Sequence, residues 1–103
     1  MIRYEVTLNI EKDIEKPFKE WLENHVKQML LFKGFTNATI HEENLDNNII
    51  TVIIVNYIID CKDNLKYYFK VYSNKMREDG LKKFPNQFTA SRRVFDNEIE
   101  INL

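Results

Sequence analysis

The sequence predicts an α+β domain with two helices packed on one face of a four-stranded antiparallel sheet, and three observations carry that prediction. The opening segment alternates residue by residue between apolar and polar side chains. Two later segments place apolar residues in steps of three and four. A central segment is apolar almost throughout. These are the marks of a half-buried strand, of amphipathic helices and of an interior strand, in that order.

In the first strand Ile2, Tyr4, Val6, Leu8 and Ile10 alternate with Arg3, Glu5, Thr7 and Asn9, a period of two that separates one buried face from one polar face. Asp13 stands where an N-cap is expected. From Ile14 to about Phe32 the residues Ile14, Phe18, Trp21, Leu22, His25, Val26, Met29 and Leu30 form one helical stripe, with Pro17 tolerated in the first turn and Gly34 as a stop signal. Phe35 to Glu43 reads as a weaker strand with Ala38 and Ile40 on one face, and Asn44 to Asn48 as a turn. Ile49 to Ile59 is the strongest strand signal in the chain. Asp63 or Asn64 is expected to cap a second helix whose stripe is Leu65, Tyr68, Phe69, Tyr72 and Met76. That helix should end near Gly80 or a turn later, before Pro85. Phe88 to Phe95 is a fourth strand.

The order strand–helix–strand–strand–helix–strand is the ferredoxin-like βαββαβ arrangement, in which the first and third strands are central. No linker or repeat divides the chain, so residues 1–96 are expected to form a single domain. Residues 97–103, where Ile99, Ile101 and Leu103 alternate with polar neighbours, are either a tail or a short extra strand.

A sheet covered on one side only should have central strands that alternate cleanly. The third strand does not. Its odd row (Ile49, Thr51, Ile53, Val55, Tyr57, Ile59) and its even row (Ile50, Val52, Ile54, Asn56, Ile58) are both largely apolar. Each such side chain left in water forfeits about 1.5–3 kcal/mol, and contiguous apolar patches mark interfaces. The expectation is a homodimer formed through the sheet face away from the helices; the sequence leaves open which row faces them.

Composition narrows the function classes. The chain has 103 residues, is 44% hydrophobic and 30% charged, and carries a formal net charge of -1. Its Lys and Arg residues are scattered, without the basic face that a phosphate backbone or an anionic membrane requires, so neither nucleic acid nor membrane is an expected partner. One cysteine, Cys61, rules out an intrachain disulfide and fits a reducing compartment. The first ten residues lack the pattern of a signal peptide and the longest apolar run is too short to span a bilayer, which makes a cytoplasmic location the expectation.

Signals for chemistry are sparse. His25 and His41 have no partner ligands at metal-binding spacing, so no metal is implied. Two glycines cannot build a phosphate-cradling loop, and no cofactor is expected. Cys61 lies beside Asp60 and Asp63, whose charge works against a thiolate. Two constellations stand out. Trp21 and His25 are one helical turn apart and share a face. They are either the wall and polar group of a ligand pocket, or a core tryptophan with a boundary histidine. Arg92 and Arg93 are consecutive on a strand, so one points to each face, toward an anion or into an ion-pair network with Arg3, Glu5, Thr7 and Asn9. The candidate ligand-binding residues are therefore Trp21, His25, Asn9, Arg92 and Arg93.

The segments MIRYEVTLNI, KEWLENHVKQML, FKGFTNATI and FTASRRVFD, taken in order over residues 1–96, resemble the bacterial family grouped as domain of unknown function 4286. That resemblance implies the dimeric α/β-barrel form of the ferredoxin-like fold, and no established activity. Related dimeric barrels include cofactor-independent monooxygenases, haem-degrading enzymes and mutarotases. The haem-degrading type requires a second-helix histidine, which this chain lacks. Two functions are carried forward. One is a small dimeric binding or interaction module. The other is a cofactor-independent enzyme, monooxygenase- or isomerase-like, acting on a small organic molecule in a pocket near His25.

Overall fold

The computed structural model describes residues 1–43 and 45–103, so Asn44, in the expected 44–48 turn, lies outside the described residues. The strands are β1 (Ile2–Glu11), β2 (Phe35–Glu42), β3 (Ile50–Ile59) and β4 (Phe88–Phe95). They form one antiparallel sheet in the order β2-β3-β1-β4. The helices are α1 (Glu15–Met29), α2 (Lys62–Val71) and α3 (Ser73–Lys83). The ferredoxin-like α+β architecture expected from the sequence is present, with β1 and β3 central.

Register decides the question that the two apolar rows of β3 left open. Ile2, Tyr4, Val6, Leu8 and Ile10 pair with Ile59, Tyr57, Val55, Ile53 and Thr51. Paired residues share a face, so the odd row of β3 joins the apolar row of β1 beneath the helices. Tyr4, Ile10, Ile53, Val55 and Ile59 are sealed there with Phe18 of α1. Aromatic rings stitch the layers together: Phe18 lies 5.2 Å from Phe88, Tyr4 5.2 Å from Phe69, and Phe35 5.2 Å from Tyr68.

The other face carries Arg3, Glu5, Thr7 and Asn9 of β1, the even row of β3, and Thr89, Ser91, Arg93 and Phe95 of β4. Its apolar residues are less exposed than a bare sheet suggests. Val52 is only 7% exposed, Ile54 and Ile58 are half-buried, and Ile50 is 40% exposed.

Several boundaries differ from expectation. Asp13 does not cap α1; it sits in a single 3₁₀ turn, Lys12–Ile14, and no side chain caps the helix start. Neither Asp63 nor Asn64 caps α2, whose N-cap position is Cys61, two residues before Asp63. Asn64 instead donates to the Asp60 carboxylate at 2.7 Å. Helix α1 stops at Met29, and Gly34 serves the following turn rather than the helix end. Its φ of +88° and the closeness of Asp60 and Asn64 leave no room for a Cβ. The second helix is two helices, broken at Tyr72. There the Ser73 hydroxyl donates to the Phe69 carbonyl at 2.8 Å, a back-bond that bends helices. Beyond Phe95 the chain has no regular structure; Ile99, Ile101 and Leu103 are exposed, and ion pairs Lys62–Asp96 and Arg3–Glu98 tie down its start.

Candidate functional site

Helix α1 turns Phe18, Leu22, Val26 and Met29 into the core, and the same stripe carries Trp21 and His25. Their rings stack with centroids 4.6 Å apart and planes inclined by 26°. Trp21 can lie against α3 because the facing residue is Gly80. A Cβ there would come within 2.9 Å of the indole and 3.3 Å of the Phe88 ring. Gly80 is thus a close-approach position inside α3, not the helix end its identity suggested.

Beneath this contact, between the helices and the sheet, is a cavity of about 50 Å³ that opens to solvent. Val6, Val55 and Tyr57 contribute its floor, Trp21 and His25 one wall, Met76 and Gly80 another. Room for a few waters is what such a volume provides. Two arginines reach it, Arg92 from β4 and Arg77 from α3. Arg77 shares the sheet-facing side of α3 with Ser73, Met76, Gly80 and Phe84, all of which are buried.

The electrostatics follow from burial. Loss of water pushes the His25 pKa below its ordinary value; Asp79 opposes that shift and the Arg92 guanidinium adds to it. Burial pushes the Tyr57 and Tyr68 hydroxyls up, and the neighbouring tyrosines push them further; arginine charge partly offsets this. At neutral pH the cavity therefore presents a neutral imidazole, protonated phenols and two cationic guanidinium groups.

Of the candidate residues read from sequence, Trp21, His25 and Arg92 line this one cavity. Asn9 and Arg93 do not join them. Asn9 belongs to the opposite face, paired with Val52 and Thr89. Arg93 also lies there, its Nε and Nη2 donating to one Glu5 oxygen at 2.8 and 2.6 Å, with its guanidinium 5.2 Å from the Phe95 ring. Strand alternation puts both on the far side of the sheet from His25. Arg77 was not anticipated, although its place on the Ser73–Met76–Gly80–Phe84 stripe is a sequence signal. Among the described residues no group of three or more His, Cys, Asp or Glu side chains could hold a metal ion, and no helix is long and apolar enough to cross a membrane.

Similar folds occur in solved structures of low sequence identity. A Deinococcus radiodurans protein provisionally named an antibiotic biosynthesis monooxygenase superposes with a TM-score of 0.75 at 13% identity, covering 100% of this chain and 98% of its own. A variant of SnoaB, a cofactor-independent oxygenase from Streptomyces nogalater, gives 0.72 at 10% identity, covering 97% and 96%. A dimeric ferredoxin-like protein from an uncultured marine organism gives 0.70 at 14%, covering 100% of both chains. At such identities the likeness concerns the fold alone. No curated protein matches the sequence. The family described as domain of unknown function DUF4286 matches residues 1–98, and the chain belongs to that family.

Proposed function

We propose that the protein is a homodimeric binding module that holds a small organic molecule in the cavity beneath α1 and α3 and works in a reducing, cytoplasmic setting. The observation that carries the ligand reading is convergence: His25 and Arg92, from separate elements, reach the same cavity beside the Trp21 ring. A few polar groups converging on an otherwise apolar concavity are the usual anatomy of a small-molecule site. The dimer reading is supported by the apolar even row of β3 on the uncovered face and by a dimeric protein of the same fold. The exposed lone thiol, Cys61, supports the reducing setting.

A second reading, a cofactor-independent oxygenase, is favoured by one observation. Burial keeps His25 neutral, and so able to take a proton from a bound molecule near neutral pH. SnoaB, with the same fold, is a cofactor-independent oxygenase.

One experiment addresses both readings. A native mass spectrum of freshly purified protein should report a dimer with a retained small molecule, released on denaturation and absent from a Trp21→Ala, His25→Ala variant. A monomer of unadorned mass overturns the proposal. Conversion of the retained molecule under oxygen, lost in His25→Gln, selects the oxygenase over the binding module.

A further inference from the structure

We infer that the cavity is built for an organic anion, a carboxylate carried on a small apolar body. This rests on the ligand-binding reading above and names the ligand's chemistry. The carrying observation is the charge around the cavity. Arg77 and Arg92 both line it, and no Asp or Glu side chain does.

The four arginines of the chain divide by face. On the uncovered face, Arg3 has Glu98 at 3.0 Å and Arg93 has Glu5 at 2.6 Å. On the helix side, neither Arg77 nor Arg92 takes part in an ion pair among the described residues. The Arg77 Nε is buried without a hydrogen-bond partner. Arg92 reaches the cavity from an exposed position on β4, but Arg77 reverses the ordinary pattern, in which a cation drawn from water is paired. A half-buried arginine among buried Ser73, Met76, Gly80 and Phe84 breaks the local pattern of an apolar stripe, and such breaks are expected at functional sites.

The rest of the lining says which anion. Guanidinium groups present planar, forked donors that match a carboxylate. The buried hydroxyls of Tyr57 and Tyr68 are held protonated and so can donate as well. Trp21, Phe88 and Met76 offer apolar surface rather than further charge. A volume of about 50 Å³ admits a carboxylate and leaves most of an attached ring at the open mouth.

The test is an NMR titration of the purified dimer with benzoate, with benzamide as its neutral counterpart and with inorganic phosphate as an anion lacking the apolar part. Benzoate is expected to bind about tenfold more tightly than benzamide, as a charge-assisted contact requires, and to raise the His25 pKa while benzamide does not. Arg77→Gln and Arg92→Gln should each erase most of that preference, lowering benzoate affinity far more than benzamide affinity. Equal affinity for benzoate and benzamide overturns the anion inference and leaves the ligand-binding reading standing. Phosphate binding as tightly as benzoate overturns the apolar-body part. If no probe perturbs Trp21 or His25 at millimolar concentration, both the inference and the reading beneath it fall.

Discussion

Asn56 and Tyr57 are neighbours on β3, one pointing away from the helices and the other sealed under them at 2% exposure. The contrast runs through the whole sheet. On the helix side the rings of Tyr4, Tyr57, Phe35, Phe69 and Tyr68 touch one another at centroid distances of 5.2 to 6.3 Å, and among the described residues the two arginines there, Arg77 and Arg92, have no carboxylate partner. On the uncovered side, apolar Val52, Ile54 and Ile58 are mixed with ion-paired Arg3, Glu5 and Arg93. A core wants large apolar rings and no charge. A recognition surface wants apolar area at its centre with satisfied polar groups around it. The uncovered face follows the second rule and the buried layer under the helices the first, except at half-buried Arg77, which lines the cavity together with exposed Arg92.

The sharpest way to break this comparison is to place the same charge on each face of β3. Ile53 is 1% exposed beneath the helices. Ile53→Asp buries an unpaired carboxylate in the core, at a cost of more than about 4 kcal/mol, enough to unfold a domain of this size. Its neighbour Ile54 is half-buried on the other face. Ile54→Asp is expected to keep its circular-dichroism spectrum and to change from dimer to monomer by light scattering. If Ile54→Asp also unfolds, the uncovered face belongs to the protomer's own core. If it remains a dimer, the two copies meet elsewhere.

How much of this was legible beforehand depended on whether one element's pattern sufficed. β1 was readable because its two rows differ, and the α1 stripe because its spacing is helical. β3 was not, because both of its rows are apolar; only pairing with β1 through Ile2↔Ile59 and its neighbours assigns them. The Trp21–His25 contact was legible as a local i, i+4 relation. Arg92 and Arg93 were known to point opposite ways, but which way depends on the Val6↔Arg92 and Glu5↔Arg93 register. Asn9 was grouped with His25 although its own alternation places it across the sheet. Arg77 lies beyond the expected stripe, which ends at Met76, and Gly80 reads from sequence as a helix stop rather than as a close-approach position inside α3. Continued to Phe84, the stripe carries a charge and a glycine among buried residues, and these line the cavity.

A smaller effect separates the faces by pH. Burial keeps the folded-state pKa of His25 below the ordinary value of 6.5. The unfolded chain therefore takes up the proton at higher pH than the folded chain does. Between the two values the unfolded state holds more protons, so stability rises with pH: it is fully present above 6.5 and is lost as pH falls through the folded value. The depressed carboxyls act lower still: Glu15 beside Lys19, Asp60 beside Asn64 and Asp96 beside Lys62. Urea titrations at about pH 7 and about pH 5.5 should show wild type losing stability on acidification and His25→Asn losing less. His41→Asn on the uncovered face controls for removing a histidine as such. An unchanged slope in His25→Asn means the proton is taken up elsewhere.

The smallest effect is the most discriminating about what covers the uncovered face. In the isolated protomer the Arg93–Glu5 pair has one exposed and one largely buried partner, with side-chain exposures of 68% and 14%. Pairs open to water contribute about 1 kcal/mol or less; with Glu5 largely buried, Arg93→Ala in the Ile54→Asp monomer should cost somewhat more than that, but less than in a fully covered pair. In the dimer a second copy would cover the same pair. Removing Arg93 would then leave Glu5 desolvated and unpaired, and truncating one partner of a buried pair costs about 3–5 kcal/mol. Measuring Arg93→Ala in both backgrounds, with Glu5→Gln completing a double-mutant cycle, reads the difference directly. A coupling energy that is larger in the dimer puts the pair inside the interface. Equal coupling in the two backgrounds puts it at the rim or outside, and moves the contact between copies toward Val52 and Ile54, away from β4.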